Sequence, residues 1–371
     1  MSAKVHFQPN AGFPMKVGIA IPTLADGDAV GNDALGMVRH LRGRGLDVEI
    51  FAERSRVAEP TRPLRELARA VGSDDVLVYH HSIGCEAGVR AIERAPCRRK
   101  AVKYHNVTPA KFFQNLDADA ARACEQGIAQ VGRLAESDAV LWADSSYNGA
   151  HFGEFVPGRA FAELPPFHHA DRLLTLEPDY RAASGLDDWT TNILLIGRIV
   201  PNKNIPLALA AFADYRRLFN PHSRLVIVGD QPIPLHSAEV HNAIRERGLE
   251  GHVLITGKVS VPQLKALYLT ADALLVTSLH EGFCVPLIEA MGLRVPIIAV
   301  PNAAIGFTGG DAAFYAEGNA SALAERLDGV LTDPDLRERH LHAGWERYRD
   351  HFSNDAVEAK FAELFDELLA G

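Results

Sequence analysis

The chain has 371 residues, of which 47% are hydrophobic and 23% are charged, as in ordinary globular proteins. The length is sufficient for two domains, whereas a net charge of −9 and the lack of a recognition motif argue against nucleic acid as a partner. No apolar run approaches the ~18 residues that a membrane span needs, and no apolar signal core follows the first Met. We therefore expect a cytoplasmic protein.

The cysteines suggest neither a metal site nor a disulfide framework. Cys85, Cys97, Cys124 and Cys284 are far apart in the sequence and form no close metal-type pair. We therefore expect a reduced protein without structural zinc.

Short apolar runs alternate with helical patterns along the chain, which is typical of parallel sheets built from βαβ units. The first five predicted strands cover 17–21, 48–51, 76–80, 101–104 and 139–142. The second five cover 193–196, 224–228, 253–255, 273–276 and 297–300. Each set has the size of one doubly wound α/β domain, and ligands of such domains bind at the carboxyl ends of the strands.

Residues 161–192 lie between the two sets and are rich in proline, charge and turn formers, so we interpret them as an interdomain connection. This predicts a first domain at 1–168 and a second at 185–352. Residues 353–371 form an amphipathic helical pattern with one apolar stripe, which consists of Val357, Phe361, Leu364 and Leu368.

Two strand ends of the first half carry possible ligand contacts. A glycine-containing loop follows the first strand, and Gly27 and Gly31 permit a close approach of the backbone to a phosphate. His105 follows a later strand, while His80 and His81 end another. Imidazoles at these positions are either structural or face a substrate.

The stretch NILLIGRIVPNKN opens the second half with a strand, a turn at Gly197 and two cations, Arg198 and Lys203. Cations beside the carboxyl edge of a sheet suit a diphosphate, because arginine offers a planar fork and lysine a mobile point charge. The alternative is that both are ordinary surface charges.

The stretch SLHEGFCVPLIEAMGLRVPIIAV places two carboxylates, Glu281 and Glu289, around one strand-to-helix corner, with the helix predicted to open at Pro286. The amides of Gly282, Phe283 and Cys284 point into the same corner. Such a corner suits a ligand with an anionic group and several hydroxyls. The alternative is that both glutamates are ordinary residues of a first helical turn.

This stretch resembles the glutamate-x7-glutamate signature of the retaining glycosyltransferases of family 4, in glycosyl transferases group 1. The resemblance implies a GT-B fold, in which two facing Rossmann-like domains enclose a cleft. It also implies that Glu281, with the amides of Gly282 and Phe283, holds the donor sugar, and that Glu289 holds the ribose of the nucleotide.

The same resemblance extends to the two cations and to the loop after the third strand of the second half. It implies that Arg198 and Lys203 neutralise the leaving diphosphate. It also implies that the main chain at Lys258 and Val259 contacts the nucleotide base.

In the first half, the resemblance implies that the amide of Gly31 touches the donor diphosphate, although Val30 replaces the usual adjacent glycine. His105 corresponds to a family histidine that lines the cleft near the reacting sugar carbon. In this fold the C-terminal helix often crosses back onto the first domain, which is the position implied for 353–371.

Three Asp-x-Asp sequences, at 26–28, 117–119 and 333–335, are interpreted as turns and helix caps rather than as metal ligands. We therefore predict no metal and no cofactor, with the nucleotide-diphosphate sugar as a substrate.

A run of basic residues lies in the first half and comprises Arg90, Arg94, Arg98, Arg99, Lys100 and Lys103. It is either a solvated helix face with its loop or a contact for an anionic membrane surface or a lipid-diphosphate acceptor. Peripheral membrane association is the expectation in the second case.

Together these features predict a retaining, metal-independent hexosyltransferase. Its donor is expected to be a UDP- or GDP-linked sugar and its acceptor a glycan or a lipid-linked glycan of polysaccharide biosynthesis. Two alternatives remain: another GT-B enzyme, either a sugar phosphorylase or a nucleotide-sugar epimerase, and a non-catalytic scaffold that binds nucleotide sugar.

Overall fold

The computed structural model describes residues 15–25, 27–186, 188 and 190–371. The strands of this part of the chain form two sheets, and all their pairings are parallel. The first sheet contains β1 (Lys16–Leu24), β2 (Asp47–Ser55), β3 (Arg62–Pro63), β4 (Val76–His81), β5 (Arg99–Tyr104), β6 (Val140–Ala143) and β7 (Ala162–Glu163). The second contains β8 (Thr191–Ile196), β9 (Ser223–Val228), β10 (Val253–Gly257), β11 (Ala273–Val276), β12 (Ile297–Ala299) and β13 (Ala313–Tyr315).

Both sheets have the doubly wound strand order. The first runs β3-β2-β1-β4-β5-β6-β7 and the second β10-β9-β8-β11-β12-β13. In each, the order reverses beside the first strand of the domain, and the carboxyl ends of the strands flank a crevice at that point. The predicted α/β architecture with two Rossmann-like domains is confirmed.

Helices connect the strands and cover the sheets. The first half contains α1 (Ala29–Gly43), α2 (Leu67–Ala70), α3 (Glu86–Arg94), α4 (Ala118–Glu136) and α5 (Ser146–Phe155), and α6 (Ala170–Thr175) lies in the connection. The second half contains α7 (Ile205–Leu218), α8 (Pro234–Glu246), α9 (Val261–Leu269), α10 (Val285–Gly292), α11 (Ile305–Gly309), α12 (Ala320–Thr332), α13 (Pro334–Arg347) and α14 (Asn354–Ala370).

The ten predicted strands all exist, and the structure adds three short ones, β3, β7 and β13. Each added strand is two or three residues long and lies at or next to the edge of its sheet. Strands of that length show no periodic pattern in the sequence, which is why they escaped prediction.

The last helix belongs to the core of the first half. Val357, Phe361 and Leu364 of α14 are buried in one hydrophobic cluster with Val17 and Ile19 of β1. By contrast, Ala170 and Leu173 of α6 are buried with Leu194 of β8, in a core of the second half. The chain therefore passes between the halves twice, once at the connection and once before α14.

The basic run of the first half is not one surface. Lys100 and Lys103 lie on the inner strand β5, and their residues are 6% and 0% exposed. The Lys100 ammonium donates to the carbonyl of Ile92 at 3.0 Å and pairs with Asp138 at 2.9 Å. The interpretation of these two lysines as part of a solvated or membrane-facing cluster is wrong, because helices cover both faces of the strand that carries them.

Two of the Asp-x-Asp sequences are helix caps, as predicted. The carboxylate of Asp117 accepts from the amide of Ala120 at the start of α4, and that of Asp333 accepts from the amide of Leu336 at the start of α13. In the third sequence, Asp28 caps α1 and Asp26 lies outside the described residues. No helix in the described ranges combines the length and the apolar character that crossing a bilayer requires.

The packing of α14 predicts that the first sheet depends on it for stability. Phe361 is 0% exposed and its ring packs edge-on against Trp142, with ring centroids 6.0 Å apart. Phe361→Ala should lower the free energy of unfolding by about 3–5 kcal/mol, measured by urea denaturation. Glu363→Ala on the exposed face of the same helix is the matched control and should leave stability nearly unchanged. Equal effects of the two substitutions would show that α14 is not part of the core.

Candidate active site

Two glycines at strand ends shape the first corner of the site. Gly197 after β8 and Gly229 after β9 have φ angles of 145° and 150°. A Cβ on Gly229 would lie 2.1 Å from the carbonyl oxygen of Gly197, and one on Gly197 would lie 2.7 Å from Cε of Lys203. The absence of both side chains therefore lets the strand ends approach and lets Lys203 lie across them.

An ion pair joins this corner to the next. Nζ of Lys203 lies 2.5 Å from Oε1 of Glu281, and the two side chains are only 16% and 12% exposed. Burial opposes the charged form of Lys203, but the nearby Glu281 carboxylate outweighs it and the pKa of Lys203 is raised. The corner therefore holds a permanent cation with further N–H donors to offer.

Arg198 differs from Lys203 in being exposed. Its guanidinium makes no hydrogen bond or ion pair with any described residue. An arginine that is fixed by its backbone and otherwise free is well suited to bind an anion from solution.

The loop between β11 and α10 is held by side chains from elsewhere in the second half. The amide of Leu279 donates to the carbonyl of Asn202 at 2.7 Å, and Nδ2 of Asn202 donates to the carbonyl of His280 at 3.1 Å. Nδ2 of Asn302 donates to the carbonyl of Ser278 at 3.0 Å. Asn202 and Asn302 were missed in the sequence, because a loop asparagine carries no signal of contacts 78 and 24 residues away.

Free backbone donors lie at the end of this loop. Among the described residues, none accepts a hydrogen bond from the amides of Gly282, Phe283 or Cys284. Cys284 has a left-handed φ of 72° and precedes α10, which begins at Val285, one residue before the predicted start. Orphan amides at a helix N-terminus are favourable partners for negative charge.

Glu289 is the second carboxylate of the corner and is 8% exposed. Its Oε2 accepts a hydrogen bond of 2.8 Å from the hydroxyl of Tyr268. Burial raises the pKa of Glu289 to about 7. A buried carboxylate with one donor retains unused lone pairs, and ligand hydroxyls are groups that supply the missing donors.

The first half contributes its own loops to the cleft. A Cβ on Gly27, whose φ is 76°, would lie 3.8 Å from Nζ of the exposed Lys258, so this lysine reaches across from the second half. Val259 packs against the core of the second half instead. The base-binding role of their main chain stays a prediction.

The structure explains why residue 31 is a glycine, which the sequence alone did not show. A Cβ there would lie 2.3 Å from the carbonyl oxygen of Ala25, so the position needs glycine for helix packing. Its amide is already used by the cap, because it donates to the Asp28 carboxylate at 3.3 Å. A contact between this amide and a diphosphate would have to displace the cap.

His105 joins the two halves through its backbone. A Cβ on Gly282 would lie 2.1 Å from the carbonyl oxygen of His105, so the glutamate loop packs directly on the residue that follows β5. The next residue, Asn106, has a left-handed φ of 67°, and its side chain donates to Asn148 at 2.9 Å. His105 and Gly282 therefore meet where the two halves are in contact.

The ring of His105, however, points into the first half. Its Nδ1 lies 2.9 Å from Oδ2 of Asp144, and its Nε2 lies 2.9 Å from Nδ1 of His80. Burial opposes ionisation of Asp144, but His105 and Lys103 keep the pKa of Asp144 below its usual value. A role of the His105 ring towards a sugar therefore stays a prediction, and Asp144, which follows β6 directly, is a site residue that the sequence analysis missed.

His80 and His81 do not face an acceptor. Both are 0% exposed. Nε2 of His81 lies 2.9 Å from the carbonyl oxygen of Gly127, and His80 contacts His105. His81 therefore has a structural role, whereas His80 is one of the buried side chains in contact with the ring of His105.

Comparison with known proteins shows similarity to one family in the second half of the chain. Residues 177–345, which include the Lys203 and Glu281 corners, match the family Glycosyl transferases group 1. The match covers just under half of the chain. D-inositol 3-phosphate glycosyltransferase from Segniliparus rotundus is 27% identical to this chain over 63% of this chain and 50% of its own length.

A second relative extends the similarity. Lipopolysaccharide 1,2-N-acetylglucosaminetransferase from Salmonella typhimurium is 26% identical over 72% of this chain and 65% of its own length. The chain thus matches between half and about two thirds of these two proteins. The crystal structure of Anabaena HepE in complex with UDP-glucose superposes with a TM-score of 0.72, covering 95% of this chain and 100% of that one at 15% identity. The GT-B fold implied by the resemblance is confirmed.

The raised pKa of Glu289 predicts a pH dependence of nucleotide binding. If ribose hydroxyls donate to Glu289, they favour the carboxylate, so affinity for UDP or GDP should rise as the pH increases towards about 7. The gain is up to about tenfold per pH unit below the pKa, measured by titration calorimetry.

Glu289→Gln is the control for this measurement, because the phosphates of the nucleotide titrate in the same range. The variant should bind more weakly and retain only the phosphate dependence. Identical pH profiles for the two proteins would exclude Glu289 from the nucleotide site.

Proposed function

We propose that this protein is a retaining glycosyltransferase that uses a UDP- or GDP-linked sugar. The observation that carries the proposal is the Lys203–Glu281 pair, 2.5 Å long. The same two loops carry the exposed Arg198 and three backbone amides without a hydrogen-bond partner among the described residues. This places cations, neutral donors and a carboxylate at one corner, which is the combination a sugar diphosphate requires.

The cations and the amides serve the leaving group in this proposal. As the bond between the sugar and the diphosphate breaks, negative charge grows on the phosphate oxygens. Lys203 can keep its contact with Glu281 and still direct an N–H to the phosphate, and Arg198 adds a planar fork. Because these charges are in place before reaction, they stabilise the transition state without reorganising, and no metal ion is assigned to the diphosphate.

The two carboxylates have separate tasks. Glu281 accepts hydrogen bonds from the donor sugar, and its pairing with Lys203 fixes its orientation. Glu289, 8% exposed, accepts from the ribose hydroxyls at the start of α10. Glu281 precedes α10 and Glu289 lies in its second turn, which accounts for their separation in the sequence.

Retention follows if the acceptor attacks from the face that the diphosphate leaves. The bond from the anomeric carbon to the phosphate oxygen breaks, and a bond to the acceptor oxygen forms on the same side. The acceptor proton passes to the departing phosphate. The chain then needs no nucleophile of its own, and the residues described above act by position and charge.

The acceptor is proposed to be a glycan or a lipid-linked glycan. Two relatives carry names of glycosyltransferases that act on an inositol phosphate and on lipopolysaccharide, which supports an acceptor of carbohydrate type. Of the basic run, Arg90, Arg94 and Arg98 remain exposed. We assign to these three arginines any peripheral contact with an anionic membrane surface.

A screen of nucleotide sugars by thermal shift, followed by turnover with glycan acceptors, tests the activity. A donor that binds only the folded state raises the apparent melting temperature. Transfer without free phosphate supports the glycosyltransferase. A requirement for free phosphate would identify a phosphorylase, conversion of the donor without acceptor an epimerase, and binding without turnover a scaffold.

Removal of the Lys203 charge tests the leaving-group assignment. Lys203→Met keeps the length of the side chain and should lower turnover by about 100-fold or more, in steady-state assays with the donor identified above. Lys360→Met, on the exposed face of α14, is the control and should be neutral. Near-normal turnover of Lys203→Met would refute the role of the corner.

The two glutamates are separated by a paired measurement. Glu289→Gln should mainly weaken binding of free nucleoside diphosphate, because it removes a charge-assisted bond to the ribose. Glu281→Gln should leave that affinity largely intact and lower turnover. Calorimetry and kinetics on both variants decide, and the opposite pattern would exchange the two roles.

A further inference from the structure

A cluster of potential metal ligands lies beneath His105, in the first half of the molecule. Within the described ranges it is the one group of three or more such side chains whose ligand atoms all lie within 4.8 Å of one another. Its members are Asp33 of α1, His80 of β4 and His105 after β5, and they are 0%, 0% and 7% exposed. Three separate elements therefore direct these side chains at one buried point.

The three facing atoms are close enough to one another to surround one small cation. Nδ1 of His80 and Nε2 of His105 are 2.9 Å apart, and each lies 3.5 Å from Oδ2 of Asp33. A point equidistant from atoms so arranged is about 1.9 Å from each in their plane and about 2.0 Å when slightly outside it, which matches Zn²⁺–N and Zn²⁺–O bond lengths.

In two of the three residues, the side-chain atom that faces away from the cluster is held by a hydrogen bond. Nδ1 of His105 donates to the carboxylate of Asp144, which leaves Nε2 with its lone pair towards the cluster. Oδ1 of Asp33 accepts from the amide of Phe167 at 2.8 Å. Carboxylate–histidine pairs and hydrogen-bonded carboxylates of this kind orient the ligands of metal sites.

One inner atom, by contrast, lacks a hydrogen-bond partner among the described residues, whereas the other two, Nδ1 of His80 and Nε2 of His105, share a 2.9 Å hydrogen bond that a bound ion would replace. Oδ2 of Asp33 is buried and accepts no hydrogen bond from any described residue. Lys103 does not reach it as a partner, because its ammonium lies 2.6 Å from Asp144 and also contacts the carbonyl of Leu164. A buried carboxylate oxygen without a donor is costly, and a cation at the equidistant point removes that cost.

We propose that Asp33, His80 and His105 bind one divalent transition-metal ion of the zinc class. Two imidazoles and one carboxylate favour Zn²⁺ and its neighbours over Mg²⁺ or Ca²⁺, which prefer oxygen ligands. Its ligands all belong to the first half and differ from Arg198 and Lys203, the groups proposed to bind the diphosphate. It also revises the expectation of no structural zinc, which rested on cysteine spacing alone.

The metal would make His105 a positioning residue. Its carbonyl oxygen packs against Gly282, and Asn106 beside it holds a left-handed φ. An ion that fixes the ring of His105 therefore fixes the backbone on which the glutamate loop rests. The proposal concerns the site itself and stands independently of the sugar donor.

Metal content of the purified full chain is the first test. Protein expressed with added Zn²⁺ and passed over a desalting column with EDTA should retain close to one equivalent by plasma mass spectrometry, because the ligands are buried. Asp33→Asn keeps the shape and the contact to Phe167 and should lose the ion, with an affinity loss beyond the roughly 10- to 100-fold typical of outer residues. His342→Asn removes an exposed imidazole and should retain it.

A second measurement guards against loss of the ion during purification. Protein unfolded with chelator and refolded with Co²⁺ should show visible absorption bands of a low-symmetry Co²⁺ site, absent in Asp33→Asn and His80→Phe and present in His342→Asn. Circular dichroism establishes that each variant is folded. No bound metal and no Co²⁺ bands in the wild type would overturn the proposal, as would equal metal content in wild type and Asp33→Asn. In either case a shared proton, rather than an ion, links the two histidines.

Discussion

The ion pair between Lys203 and Glu281 is the interaction on which the candidate site depends. It connects the loop after β8 to the loop after β11, two strands that are neighbours in the sheet. In a surface setting such a pair contributes little, but here both side chains are largely shielded from water. Each charge therefore needs the other, and the two loops are held in one arrangement before any ligand enters.

The surrounding backbone is built to allow this pair. Gly197 leaves room for the lysine stem, Gly229 leaves room for Gly197, and Cys284 takes a left-handed conformation before α10. Strain of this kind persists only where neighbouring contacts enforce it, and the asparagines at 202 and 302 supply them. The result is a corner whose amides have no hydrogen-bond partner in the part of the chain that the structure describes.

The fold and this corner were readable from the sequence because their signals are local. Buried strands of parallel sheets are continuous apolar runs. Arg198, Lys203 and Glu281 lie in the loops that follow β8 and β11, and Glu289 lies in the helix that follows β11 directly. The cluster around His105 was not readable, since Asp33, His80 and Asp144 come from elements far apart in the chain. Lys100 and Lys103 were interpreted wrongly for the same reason. Their charge suggests exposure to solvent, and only the tertiary structure shows that long-range partners neutralise them inside the sheet.

The placement of α14 has a consequence for synthesis on the ribosome. The core of the first half contains residues from both ends of the described chain, since Phe361 and Val357 pack with Val17 and Ile19. The second half lies between them in sequence and can complete its core without either. During translation the second half is therefore able to finish first, while the first sheet exposes part of its apolar surface until α14 has been synthesised and packed against it.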